Sequence, residues 1–223
     1  PCREYLSAIQ EAAREAEKGH KIIMKGSVTC VLHSGRDKAK NAAFCAVETS
    51  GDFICGFEIG GAETFGVQAN YLYSFDMARE AGLSLTTNAG AWVGAESVRQ
   101  AIFDQKVERL GHGVQVIEGS HLLDEVIDRN ITLEVCPESN VALGIYPNTN
   151  SHPIEKLRIL GVNVTVSTDD PPFFHTDMTK EYAALSRAFS WGKEDFKALN
   201  ETALNAAFCD NKTKDKLIKK IGH

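Results

Sequence analysis

Six short apolar runs recur along the chain, and a segment with helical spacing of its apolar residues lies between successive runs. The runs are rich in Val, Ile, Leu and Phe and are bounded mostly by Gly or Pro, which is typical of strands buried on both faces. Alternation of such strands with amphipathic helices favours a parallel sheet covered by helices. The predicted strands are 22–32, 53–59, 83–87, 108–110, 131–135 and 162–167.

The helical pattern predicts 3–18, 39–47, 67–81, 95–103, 122–128 and 153–160, followed by terminal helices at 178–189, 193–207 and 212–221. No linker interrupts the pattern, so we expect a single domain over 1–223. Two architectures fit, an open doubly wound sheet or a (β/α)8 barrel. A complete barrel has eight strands and about 250 residues, so a barrel here implies that two strands are missing.

Composition narrows the class of function. The chain is 43% hydrophobic with a net charge of -6, which excludes a disordered chain and disfavours nucleic-acid or anionic-membrane binding. No apolar run reaches the roughly 18 residues that span a bilayer. The chain enters a helical pattern at once, so we expect no signal peptide and a cytoplasmic protein.

The six cysteines form no Cys-x-x-Cys pair, and several lie inside apolar runs. This pattern favours reduced, buried thiols over a disulfide framework or a zinc ribbon.

Reactive residues of parallel α/β folds lie just beyond the carboxyl ends of the strands. Asp169 and Asp170 follow the sixth strand, and adjacent carboxylates at a buried strand end are costly unless they bind something. His112 lies between two glycines at the end of the fourth strand, where glycine lets a ligand approach closely. We interpret these three residues as a candidate site.

Other side chains have plainer interpretations. His152 lies in a loop and is expected to be solvated, and His33 is expected to be structural. Phe57 and Trp92 are expected to pack in the core.

Five segments together resemble the adenosine deaminase family of metal-dependent hydrolases, and they occur in the family's order. They are GFEIGGAE at 56–63, NAGAWVGAESV at 88–98, ERLGHGV at 108–114, EVCPESNVALGIYP at 134–147 and VTVSTDDPPFFHT at 164–176. The resemblance implies a TIM-type (β/α)8 barrel, of which this chain covers about six βα units plus C-terminal helices. It also implies hydrolysis of the 6-amino group of a purine.

The resemblance assigns roles to individual positions. Asp169 corresponds to the carboxylate that ligates the metal and helps to activate water, and His112 to the imidazole that orients the attacking hydroxide. Asp170 and the backbone of Gly61 correspond to contacts with the purine. The expected metal is zinc, which lowers the pKa of bound water toward neutrality and so creates a nucleophile.

Two departures concern the reaction centre. The family's first strand carries His-x-His, which occurs nowhere in this sequence. Its His-Ala-Gly-Glu segment is replaced here by Asn88-Ala89-Gly90-Ala91, so a metal-ligating His position holds Asn88 and the general-acid position holds Ala91. A catalytic zinc usually has three protein ligands, and loss of a general acid typically costs about 10²–10⁴-fold in rate.

The sequence therefore predicts a purine aminohydrolase by resemblance, inactive as written, that does not bind zinc alone. The alternative is a non-catalytic pseudoenzyme that binds a purine or a protein partner. The two strands apparently absent are the family's first two, so a complementing chain or self-association through open sheet edges is expected. Adenine, adenosine and other 6-aminopurines remain open as ligands. The zinc deaminases that act on flipped bases need His-x-Glu and Pro-Cys-x-x-Cys, and neither is present.

Overall fold

The structure is a computed structural model that describes residues 2–61, 63–64 and 68–221. Six strands form one sheet in chain order. The strands are β1 (Gly26–Val31), β2 (Ile54–Gly60), β3 (Ser84–Ala89), β4 (Arg109–His112), β5 (Thr132–Val135) and β6 (Asn163–Val166).

All six predicted strands are present, and the pairs β1–β2, β4–β5 and β5–β6 are parallel. A doubly wound sheet reverses its strand order at a switch point, whereas a barrel adds each strand next to the previous one. The order β1 to β6 without reversal therefore matches the barrel type of winding and decides between the two architectures.

Helices connect the strands and follow the last one. They are α1 (Cys2–His20), α2 (Arg36–Glu48), α3 (Leu72–Glu80), α4 (Ala95–Gln100), α5 (Ser120–Asp128), α6 (Pro137–Ala142), α7 (Ile154–Ile159), α8 (Pro171–Phe174), α9 (Met178–Phe189), α10 (Lys193–Ala206) and α11 (Asn211–Ile221). The short helices α6 and α8 were not predicted. The helix predicted over 67–81 starts at a position outside the described residues, and its regular part is α3.

The chain divides into two compact units, residues 1–86 and 87–223. In the first unit, β2 is buried along most of its length, and Phe57 packs edge-on against Phe75 of α3 with ring centroids 5.6 Å apart. Small residues on one face of α2, such as Ala43 and Ala46, are fully buried and allow close packing. Phe57 is a core residue, as the sequence predicted.

In the second unit, the central side chains of β4 and β5, Leu110 and Leu133, are fully buried. Leu157 of α7 and Leu185 of α9 are also fully buried, so helices from two places in the chain contribute to this core. The carboxyl ends of β4, β5 and β6 are held in register by parallel pairing, which fixes the relative positions of the residues that follow them.

The expectation of six reduced cysteines was wrong for one pair. Cys2 of α1 and Cys45 of α2 form a disulfide with their Cα atoms 6.3 Å apart. Helix packing brings these two residues together across a separation of 43 positions, which no spacing pattern reveals. Cys30 and Cys136 are reduced and buried, as expected.

The described part of the chain contains no helix with both the length and the apolar character needed to cross a membrane.

Candidate functional site

Three side chains with metal-binding or proton-transferring groups meet at the carboxyl ends of neighbouring strands in the second unit. His112 is the last residue of β4, Cys136 directly follows β5, and Asp169 lies three residues after β6. One ligand atom from each lies within 4.8 Å of the other two. Because the strands are parallel and adjacent, their ends deliver these groups to one place.

His112 and Asp169, both predicted from the sequence, are brought together. The Nε2 atom of His112 lies 3.7 Å from Oδ2 of Asp169. The imidazole is almost buried, with 9% of the side chain exposed, whereas the Asp169 side chain is 25% exposed. The protein therefore encloses most of the His112 ring, whereas the Asp169 carboxylate is more accessible to solvent.

The backbone at both residues is strained. His112 has φ 62° and Asp169 has φ 56°, the left-handed region that side chains other than glycine rarely adopt. Such a residue costs on the order of 1–3 kcal/mol and persists only where the surroundings hold it.

A serine holds the carboxylate of Asp169. The hydroxyl of Ser139 on α6 donates to Asp169 Oδ2 at 2.8 Å, and Ser139 is fully buried. A hydrogen bond to a charged acceptor is stronger than one between neutral groups, so it fixes the orientation of the carboxylate. Ser139 was not predicted because its partner is 30 residues away in the sequence.

Two buried residues support the ring of His112. Asn140 Nδ2 lies 3.1 Å from His112 Nδ1, and Asn140 Oδ1 lies 3.0 Å from His152 Nε2. His152 is 3% exposed, so the expectation that it is solvated was wrong. It packs edge-on against Tyr146, and burial, followed by the neighbouring His112, lowers the pKa of His152 to about 3.

Cys136 was not singled out as a site residue. Burial raises the pKa of its thiol well above the usual value, and the carboxylates of Asp169, Glu134 and Glu181 raise it further. The thiol lies 3.5 Å from the carbonyl oxygen of Glu134, to which it donates. A protonated thiol is a weak donor and a poor metal ligand until it loses its proton.

Asn88 and Ala91 lie where the sequence placed them, beside the end of β3. The side chain of Asn88 lies against Gly111 of β4, where an added Cβ would lie 2.1 Å from Asn88 Oδ1. Ala91 is 4% exposed. Trp92 was expected in the core and is instead 48% exposed, since it follows the strand rather than belonging to it.

The two residues expected to contact a ligand's ring follow different strands: Asp170 comes directly after Asp169 beyond β6, and Gly61 comes after β2. Asp170 is exposed at the start of α8, and its carbonyl accepts from the backbone of Phe173 and Phe174. Gly61 follows β2 in the first unit with φ 93°, and a Cβ there would lie 3.2 Å from Val31 Cγ1. Their ligand contacts stay predictions.

Comparison with known proteins decides the family. The profile of the family described as "Adenosine deaminase" matches residues 1–223. The chain belongs to the adenosine deaminase family. Among its relatives, the adenine deaminase of Rhizobium johnstonii is 41% identical over 217 residues, covering 97% of this chain and 67% of that protein. The adenine deaminase of Agrobacterium fabrum is 39% identical over 218 residues, covering 98% and 67% respectively.

Solved structures of the family share the fold. The adenine deaminase of Arthrobacter aurescens superposes with a TM-score of 0.91 at 21% identity, over 96% of this chain and 65% of that one. An amidohydrolase from Burkholderia ambifaria, solved with bound Zn, gives 0.92 at 21% identity, over 100% and 62%. Arabidopsis ADAL complexed with IMP gives 0.82 at 21% identity, over 90% and 58%. The chain thus spans about two thirds of the relatives' length.

Proposed function

We propose that the chain carries the site of a purine aminohydrolase, built for hydrolytic deamination of adenine or adenosine, and that the hydrolytic step is disabled in this chain. The observation that carries the proposal is the approach of His112 to Asp169 at 3.7 Å, at the strand ends where the family resemblance places its imidazole and its carboxylate. Relatives that are about 40% identical are named adenine deaminases, which favours a 6-aminopurine as the ligand.

The donors present do not fit the zinc of the family. Of the family's metal ligands, Asp169 is retained, while Asn88 offers a neutral amide oxygen that does not replace imidazole on zinc. His112, Cys136 and Asp169 lie close together, but of these three only Asp169 is at a position where the resemblance places a metal ligand. A catalytic zinc takes three deprotonated protein ligands. The residues present therefore do not make up the family's zinc site.

The general acid is also missing. Ala91, which is 4% exposed, has no proton to give to a ring nitrogen. Without protonation of the ring, the carbon that bears the amine is a poor electrophile, and the expected loss is about 10²–10⁴-fold. What the chain's own residues still do is bind and orient: Asp169 accepts hydrogen bonds, and His112 stands beside it.

A second candidate function is non-catalytic binding of a purine or of a protein partner. It is favoured by the retention of Asp170 and Gly61, the positions on the purine side, next to a changed reaction centre. A related possibility, a complementing chain that supplies the first strands, would restore neither the imidazole at position 88 nor the carboxylate at 91.

Calorimetric titration tests the purine side. We expect heat on addition of adenine or adenosine to the wild-type chain and a loss of about tenfold or more in affinity for Asp170→Asn, since a carboxylate hydrogen bond is worth about 1.5–3 kcal/mol. Lys193→Gln, a charge change at the exposed start of α10, is the matched control and should leave the titration unchanged. Absence of heat with both ligands would contradict purine binding.

A further inference from the structure

A chain of three hydrogen bonds connects the backbone amide of Ile154 to the ring of His112 through His152 and Asn140. The backbone amide decides which group donates and which accepts in each of them. The amide N–H of Ile154 lies 3.2 Å from Nδ1 of His152. A backbone amide only donates, so Nδ1 of His152 accepts and carries no proton. The remaining proton of a neutral His152 is then on Nε2.

His152 is held neutral by its surroundings. It is 3% exposed, and burial together with His112 lowers its pKa to about 3. Its Nε2–H lies 3.0 Å from Oδ1 of Asn140 and donates to that oxygen. The Asn140 amide can be placed in two ways, but its reverse would set an NH₂ group against the Nε2–H of His152.

The orientation of the Asn140 amide determines which nitrogen of His112 carries the proton. With its oxygen toward His152, the amide turns its NH₂ group toward Nδ1 of His112, at 3.1 Å. That nitrogen accepts, so a neutral His112 carries its proton on Nε2. The same Nε2 atom is the one that lies 3.7 Å from Asp169 Oδ2.

We propose that Asn140 and His152 are positioning residues that lock His112 in the Nε2–H tautomer, so that the ring presents a hydrogen-bond donor to the pocket. The tautomer follows from the hydrogen bonds alone. Its consequence for a ligand rests on the proposed function: the group that docks against His112 must be an acceptor, such as an oxo group or an unprotonated ring nitrogen of a purine.

Fixing His112 in the Nε2–H tautomer has a second consequence, which concerns metal binding at Nε2. An imidazole nitrogen that bears a proton has no lone pair for a metal, whereas metal-ligating histidines keep their proton on the other nitrogen and donate it to a carboxylate or carbonyl. Asn140 does the opposite, because it donates to His112. The hydrogen bonds through His152 and Asn140 therefore prevent His112 Nε2 from ligating a metal together with Cys136 and Asp169.

Long-range ¹H–¹⁵N correlation spectra of the uniformly ¹⁵N-labelled chain, recorded without purine or metal, read the tautomer directly. The His112 signals are assigned by their loss in His112→Gln. We expect the pattern of an Nε2–H ring for both His112 and His152. The pattern of an Nδ1–H ring at His112 would overturn the proposal, and since no ligand is present, failure of purine binding does not affect this readout.

Asn140→Asp is the sharpest variant because it changes an amide into a carboxylate of the same shape. A carboxylate accepts on both sides, so His152 keeps its bond while His112 must donate from Nδ1, and its pattern inverts. The bare Nε2 then becomes a ligand, and Zn²⁺ titrated calorimetrically should bind at least about tenfold more tightly than to wild type. The double variant Asn140→Asp with His112→Gln should lose that gain.

Controls separate the lock from a general effect of charge or packing. Asn200→Asp makes the same chemical change at a residue that accepts from the Tyr182 hydroxyl, and it should leave the His112 pattern unchanged. His152→Gln retains a donor toward Asn140 and should keep the Nε2–H pattern, whereas His152→Phe keeps the ring contact with Tyr146 and should give a mixture. An Nε2–H pattern in folded Asn140→Asp would contradict the proposal.

Discussion

His152 is a histidine whose proton equilibrium is coupled to folding. Its folded pKa of about 3 lies below the ordinary value of 6.5 for histidine, so between these values the unfolded chain binds a proton that the folded chain does not. Stability from this group is therefore present above about pH 6.5 and is lost as the pH falls toward 3, by at most about 1.4 kcal/mol per pH unit.

Urea unfolding at about pH 7 and about pH 5.5 measures the contribution of His152 to the free energy of unfolding. The free energy of unfolding should fall by roughly 1 kcal/mol more in wild type than in His152→Phe. His121→Gln, at an exposed position, should behave like wild type. Equal pH dependence in wild type and His152→Phe would show that His152 is not held neutral.

Ser139 gives a second prediction for a single side chain. Ser139→Ala removes the donor to the Asp169 carboxylate and should lower the free energy of unfolding by about 1.5–3 kcal/mol. Ser186→Ala removes a hydroxyl that donates to the neutral carbonyl of Trp191, so it should cost only about 0.5–1.5 kcal/mol. Denaturant titration compares the free energies of unfolding of Ser139→Ala and Ser186→Ala. A larger decrease for Ser186→Ala would contradict the hydrogen bond from Ser139 to a charged carboxylate.

The turn after β4 depends on a glycine for both conformation and space. Gly113 has φ 67°, and an added Cβ would lie 2.5 Å from Leu133 Cδ2 in β5. Gly113→Ala should therefore destabilise the chain by about 1–3 kcal/mol more than a glycine change with backbone strain alone. Gly161→Ala is that control, since it has φ 88° and nothing within 4 Å. Denaturant titration that ranks the two variants equally would contradict the close β4–β5 approach.

The elements show what the sequence could and could not predict. The six strands were predicted because the apolar runs are rich in Val, Ile, Leu and Phe and are bounded mostly by Gly or Pro. The helices α6 and α8 were missed because they have only six and four residues, which is too short for a helical spacing of apolar residues to be recognised. The start of β1 was placed too early because Ile22, Ile23 and Met24 are apolar but lie outside the strand.

The residues of the candidate site were also only partly predictable from the sequence. His112 and Asp169 could be predicted, since strand ends and motif resemblance both point to them. Asn140 and His152 could not, because their contacts cross 28 and 12 positions and depend on burial that a loop sequence does not reveal. The Cys2–Cys45 pairing likewise depends on how two helices pack.

At the scale of the whole molecule, the sheet ends at β1 and β6 in the described residues. Strands at the ends of a sheet offer unpaired backbone groups that favour pairing with another chain. We expect sedimentation velocity to show a mass that rises above 24.4 kDa with concentration. A single species of monomer mass at every concentration would contradict self-association.

The proposed function is a purine aminohydrolase site whose hydrolytic step is disabled by Asn88 and Ala91. Ammonia release from adenine and from adenosine, with the chain in excess over purine and Zn²⁺ supplied, tests it most directly. We predict no ammonia above the level of buffer. Release of one ammonia per purine from the wild-type chain would contradict the account.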